Sequence, residues 1–370
     1  MAEPLKNQFG RRVPEQIAAM ITGVHRRFPT DLFLRRVMLG YEELELMPRA
    51  RKIAHQLRQH LPSDFTKAVA ILVQSLGPKL IGTESFGMAP FLYLPHVFFV
   101  AEFGLEHFDC SMQAQYELTQ RFTAEYSIRP FIEKHPAATL KQLKVWAQDP
   151  SSHVRRLVSE GTRPRLPWAP RLRQFQIDPQ PVLKLLELLK DDSELYVRRS
   201  VANNLNDIGK DHPDKLIDVT TRWLKDATPE RQWIVGHALR SAVKRAEPAA
   251  LSLLGYQHTR DIKIVASKFS PIAPRIGGRV NISIDLENVS TKRIPLLVDL
   301  IVHFVKANAK TAPKVFKLKT EVLEPRAQVN FSKVISLCEM TTRKHYPGCH
   351  HVDILINGTA LPIGSFALTS

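Results

Sequence analysis

Glu160 sits in HVRRLVSEGTRPRLPWAPRLRQ, residues 153–174, beside six arginines and one tryptophan. A carboxylate within a surface built for anions opposes their binding, so it calls for a cation to face. Residues four apart share a helix face, which pairs Arg156 with Glu160 and aligns Arg199, Asn203 and Asp207. Upstream, Arg121, Glu125 and Arg129 form a comparable stripe. A single Arg–Glu pair at this spacing is ordinarily a solvated helix pair of ~0.3–0.5 kcal/mol; the recurrence is what sets these apart. Arginines repeated along one face can contact successive phosphates, Arg156 and Arg199 first, with Arg155, Arg198, Arg163 and Arg165 beside them. The carboxylates suit DNA that carries positive charge at one nucleotide, as an N-alkylated base does. Such a base is already a good leaving group. The remaining chemistry is to stabilise an oxocarbenium-like sugar and place a water, which carboxylates can do. Glu160 and Asp207 are therefore the expected catalytic pair, with Glu125 as a third carboxylate and Trp168 bordering them.

To hold these residues on one surface, the chain must repeat. Up to about residue 255 the apolar spacing is helical, with stops at proline or glycine. Three segments superpose: LKQLKVWAQDPSSHVRRLVSEG, LKLLELLKDDSELYVRRSVANNL and LIDVTTRWLKDATPERQWIVGHAL. Each reads as a helix, a turn with an aspartate (Asp149, Asp192, Asp226), and a second helix with an equivalent apolar residue (Val158, Val201, Val235). Offsets of 43 and 34 residues fall within or near the period of HEAT or armadillo repeats, and the loop GTRPRLPWAPR accounts for the longer interval. The third repeat places Trp233 and His237 in the same row. Trp146, Trp223 and Trp233 read as packing residues, and His237 as a satisfied rim histidine.

Near residue 260 the pattern changes. In RVNISIDLENV, Val280, Ile282, Ile284 and Leu286 alternate with polar neighbours, and similar strands are predicted in IPLLVDLIVHFV, KVFKLKTEV and HVDILINGTALPIGSFAL. Asn357-Gly358 is a two-residue hairpin signal. The predicted fold is mainly α: a HEAT-like solenoid over 1–258, then an immunoglobulin-like β-sandwich over 262–370. The alternation in KVFKLKTEV sends Phe316, Leu318 and Val322 to one face and leaves Lys317 and Lys319 as a lysine row for a DNA backbone.

The formal charge of +16 spreads over both halves and favours a polyanion. Three cysteines at wide spacing predict no disulfide framework and a reducing cytosol. The adjacent Cys349, His350 and His351 make a poor tetrahedral set, so no metal and no cofactor are expected. The most apolar stretch, APFLYLPHVFFVAEFG, is short and interrupted, so neither export nor a membrane span is predicted.

The array, the helices VRRLVSEG and VRRSVANNLNDIGKDHP, the Pro-Arg-Trp loop and the sandwich tail resemble the AlkC branch of the AlkC/AlkD DNA alkylation-repair glycosylases over essentially the whole chain. The resemblance implies a monofunctional glycosylase, a monomer of the bacterial cytosol. It would remove 3-methyladenine and 3-methylcytosine from alkylated duplex DNA without extruding the base. Separately, the excess of basic residues from Arg260 onward predicts that the sandwich assists DNA binding. It also puts acidic active-site positions on Glu125, Glu160 and Asp207 and an aromatic contact on Trp168. The competing expectation is a non-enzymatic HEAT-type adaptor for nucleic acid or an acidic protein. A metal-dependent nuclease lacks a convincing ligand set.

Overall fold

The structure, a computed structural model, describes residues 5–83, 87, 89–257, 260–339 and 344–370. Among these, helices occupy the first part of the chain: α1 (Arg12–Val24), α2 (Thr30–Met38), α3 (Leu46–His60), α4 (Phe65–Gln74), α5 (Leu94–Phe103), α6 (Phe108–Thr119), α7 (Ile128–Lys134), α8 (Pro136–Trp146), α9 (Ser152–Gly161), α10 (Arg173–Ile177), α11 (Gln180–Leu189), α12 (Leu195–Ile208), α13 (Pro213–Leu224), α14 (Pro229–Lys244) and α15 (Pro248–Leu253). No described helix is long and apolar enough to cross a membrane.

The predicted repeats are the pairs α8/α9, α11/α12 and α13/α14, and Val158, Val201 and Val235 are fully buried. The first two turns share a mechanism. Asp149 Oδ1 accepts the Ser151 N–H at 2.8 Å and Asp192 Oδ1 accepts the Glu194 N–H at 2.9 Å, closing an Asx turn before each second helix. The first arginine of each VRR then locks that turn. Arg155 donates to the Asp149 and Pro150 carbonyls at 2.8 and 3.0 Å, and Arg198 to the Asp192 and Ser193 carbonyls at 2.9 and 2.6 Å. Arg155 also grips Asp192 with Nε and Nη2 at 2.6 and 3.0 Å, tying one repeat to the next. Arg155 and Arg198 therefore hold turns instead of reaching for phosphates. The stripe expected from Arg121 to Arg129 is not helical: residues 120–127 form turns between α6 and α7, so Glu125 arrives from a loop.

The strands are β1 (Ile262–Ser270), β2 (Arg279–Asn288), β3 (Ile294–Val305), β4 (Thr311–Leu323), β5 (Gln328–Ser336), β6 (Gly348–Ile356) and β7 (Thr359–Leu368). They form two antiparallel sheets, ordered β1-β2-β5 and β4-β3-β6-β7, closed on one apolar core. Val280, Ile282, Ile284 and Leu286 all point into that core. Asn357 and Gly358 link β6 to β7 with φ of 47° and 86°, the left-handed pair a tight hairpin needs. By packing, the chain divides into Met1–Ala238 and Leu239–Ser370, earlier than the change from helix to strand. The reason is local: a Cβ on Gly358 would lie 2.4 Å from Leu251 of α15, and Asn357 donates to the Gln257 carbonyl at 2.9 Å. The expected junction includes His258 and Thr259, which lie outside the described residues.

The lysine row does not form. A bulge between Val298 and Asp299 shifts the register, so that Val298 faces Lys319 while Asp299 faces Lys317. Directly opposed residues share a face and successive ones alternate, which puts the two lysines on opposite faces. Lys319 pairs with Glu321, and Val322, expected inward, is 51% exposed.

Candidate active site

α9 packs against α12, and the loop 162–172 lies beside them. α9 can approach α7 closely because residue 161 is glycine: a Cβ there would sit 2.5 Å from Ile128 Cγ2. Glu160 is thereby carried inward to 6% exposure.

The carboxylates are not free. They alternate with cations in a ladder. Glu125 Oε2 takes Arg156 Nη1 at 2.9 Å and the Thr123 hydroxyl at 2.9 Å. Arg156 Nη2 lies 3.7 Å from Glu160 Oε1, which accepts Arg163 Nη1 at 2.6 Å, while Ser200 donates to Glu160 Oε2 at 2.6 Å. Arg163 Nε and Nη2 both reach Asp207 Oδ2 at 2.8 Å, and Lys210 Nζ closes the run on Asp207 Oδ1 at 2.8 Å. Three carboxylates meet three cations, so the ladder is electrically neutral. Burial works to raise the Glu160 pKa, but Arg156, Arg163 and the Ser200 hydroxyl together hold it below the usual glutamate range. Desolvation works to lower the pKa of the half-buried Arg156, yet Glu125 and Glu160 raise it above the ordinary arginine value, and its guanidinium lies 5.0 Å from the Tyr196 ring centroid.

Glu125, Glu160 and Arg163 line a cavity of ≈ 270 Å³ together with Tyr126, Leu166 and Trp168. Asp207, 1% exposed, does not line it, and both of its oxygens are engaged by cations. Its action on this cavity runs through Arg163.

The Trp168 loop has its own anchor. Arg129, 3% exposed, donates to the carbonyls of Gly161 at 3.1 Å, Arg163 at 2.8 Å and Pro170 at 2.5 Å, bracketing both ends of the loop. Burial lowers the Arg129 pKa to about 10. Trp168 is 69% exposed with φ of 64°, a conformation that costs a non-glycine residue roughly 1–3 kcal/mol and persists only when its surroundings enforce it.

The sequence-predicted cations thus divide. Arg156 and Arg163 are spent on the ladder, Arg155 and Arg198 on turns, and Arg165 on Asp211 with Nε at 2.9 Å. Arg199 is exposed and forms no ion pair or hydrogen bond among the described residues. The same holds for Arg171 and Arg173, which the sequence reading did not single out although both stand in APRLRQ. Tyr126 was missed as well; burial and the nearby Glu125 and Glu160 carboxylates push its phenol up to about 12. Trp233 stacks on His237 with centroids 5.0 Å apart, and His237 Nε2 lies 3.3 Å from Asn203 Oδ1. Among the described residues, no group of three or more His, Cys, Asp or Glu is arranged to hold a metal ion.

Comparison with known proteins places this helical-repeat array, with its charge ladder beside an exposed tryptophan, among DNA alkylation repair enzymes. Residues 121–246 match the family described as DNA alkylation repair enzyme, and residues 263–370 match the C-terminal Ig-like domain of uncharacterised protein YhaZ. Uncharacterized protein YhaZ of Bacillus subtilis is 33% identical over 355 residues, covering 96% of each chain. The structure of the Pseudomonas fluorescens alkylpurine DNA glycosylase AlkC bound to DNA containing an abasic site analog is 36% identical, with a TM-score of 0.90 over 100% of both chains. The chain belongs to the AlkC-type DNA glycosylases of this alkylation repair family, which sets the adaptor expectation aside.

Proposed function

We propose that the chain acts as a monomer on duplex DNA and hydrolyses the glycosidic bond of small cationic N-alkylated bases, 3-methyladenine and 3-methylcytosine, while the lesion stays in the duplex. The observation that carries this reading is the meeting of Glu125, Glu160 and Trp168 in one cavity. Glu160 stays ionised at neutral pH and can stabilise positive charge developing on the sugar; Glu125 or Glu160 can hold the attacking water. Because the ladder is neutral, its carboxylates do not repel the phosphates of undamaged DNA. They oppose only a nucleotide that is itself cationic. Trp168 projects beside them to lie against deoxyribose or lesion, and Asp207 acts as a positioning residue through Arg163. Arg199, Arg171 and Arg173 supply phosphate contacts, and the sandwich, with sixteen lysines and arginines against eight aspartates and glutamates from Arg260 onward, adds a second basic surface. The test is incubation of alkylated duplex with the chain and a chelator. Release of methylated base with an unbroken strand is expected. Strand cleavage, or no released base, would overturn the reading.

A further inference from the structure

Trp168 borders two cavities. A second one, of ≈ 300 Å³, shares Met47, Tyr126 and Trp168 with the first and is completed by Phe98, Arg129 and Glu133 among others. Its size is at the lower end of the roughly 300–1,000 Å³ usual for small-molecule sites. Its charges differ from those of a phosphate site. Arg51 is bound to Glu102 at 3.2 Å and lies 4.7 Å from the Phe98 ring centroid, and Arg129 is committed to the three loop carbonyls. Glu133, exposed, makes no ion pair or hydrogen bond among the described residues. A phosphate would meet engaged cations and an open carboxylate. A planar molecule with an amine edge would meet aromatic walls and a hydrogen-bond acceptor.

Excision creates such a molecule. When the C1′–N bond breaks, its electron pair passes to the cationic base, water gives its oxygen to C1′ and releases one proton, and the base departs neutral. We propose that the second cavity is a subsite for this free, neutral methylated base, across the Tyr126–Trp168 wall from the carboxylates. The origin of the ligand rests on the excision reading; the binding does not. Clearing the base into a separate site would leave Glu125 and Glu160 facing the sugar alone.

Free 3-methyladenine titrated into the full chain without DNA, followed by calorimetry, should show one saturable site. Ala101 lines this cavity and not the first, so Ala101→Phe should fill it and weaken binding at least about tenfold, while Glu133→Gln, losing one charged acceptor, should weaken it about threefold to tenfold. Both variants should excise base from alkylated duplex within about twofold of wild type under single-turnover conditions. Absence of saturable binding at millimolar base, or binding unmoved in both variants, would overturn the subsite. Cavity-dependent binding by a chain that releases no base from DNA would keep the subsite and remove the excision reading, and excision without such binding would do the reverse.

Discussion

Replacing Glu160 by glutamine removes one charge and almost nothing else. Oε1 accepts from Arg163 at 2.6 Å and faces Arg156 at 3.7 Å, and Oε2 accepts from Ser200 at 2.6 Å. Arg163 keeps Asp207 and Arg156 keeps Glu125, so neither cation is left unpaired. The stability loss should then stay near the roughly 1–3 kcal/mol of one unsatisfied buried contact, below the roughly 3–5 kcal/mol of an uncompensated buried charge. Excision should suffer more in proportion, because the charge acts where the sugar cation forms. A loss of at least about tenfold, on the order of 1.4 kcal/mol, is expected in single-turnover release of base, with binding to undamaged duplex unchanged or tighter. The pH profile adds a second readout. Glu160 titrates below the ordinary glutamate range, so its contribution is present above the unfolded value and is lost only as pH falls through the depressed folded one. Wild-type excision should hold on acidification to that range and fall below it, and the glutamine variant should lack this limb. A wild-type rate in the variant, or a wild-type acidic limb at or above the ordinary glutamate value, would refute the assignment.

Arg171→Ala, Arg173→Ala and Arg199→Ala should each weaken binding to damaged and undamaged duplex alike and flatten the salt dependence by about one unit, measured by fluorescence anisotropy at several salt concentrations. Arg155→Ala and Arg198→Ala should instead lower thermal stability with little change in that slope. Arg129→Met should destabilise the fold and loosen the Trp168 loop, read as faster collisional quenching in a chain whose sole tryptophan is Trp168. His96, 1% exposed, has its pKa lowered to about 4 from 6.5 by burial, so the folded chain should lose about 3 kcal/mol between pH 6.5 and 4, and His96→Leu should remove that loss in urea unfolding. Since Lys317 and Lys319 lie on opposite faces, charge reversal at one of them, not both, should weaken DNA binding.

The repeat was legible because it rests on periodicity, and periodicity is a property of the backbone. Val158, Val201 and Val235 recur where one helix meets its neighbours, and Asp149 and Asp192 recur where a turn needs an acceptor two residues before a bare N–H. The β2 alternation was legible for the same reason. Irregularity defeated it elsewhere. β1 has a bulge between Ile264 and Ala266 and exposes most of its residues, so it shows no clean alternation, and the bulge at Leu318 put the two lysines of β4 on opposite faces.

The site was legible as a set of residues but not as a set of partners. Spacing of four residues says that Arg156 and Glu160 share a face. It does not say that Glu125 arrives from a turn outside the helix, or that Arg163, nominally a loop cation, folds inward between Glu160 and Asp207. Nor does it separate the two arginines of VRR, which look alike in sequence and point a helical step apart: Arg155 and Arg198 meet backbone carbonyls, while Arg156 and Arg199 turn to the other surface. That separation changes the electrostatic argument. Read from sequence, the carboxylates stand exposed among phosphate-binding arginines and should repel DNA; in the fold, those arginines cancel them, and the cations left for phosphates, Arg171, Arg173 and Arg199, lie outside the ladder. Discrimination between damaged and undamaged DNA then needs no net negative site. It needs a balanced ladder two of whose carboxylates, Glu125 and Glu160, open onto a cavity where only a cationic nucleotide changes the balance.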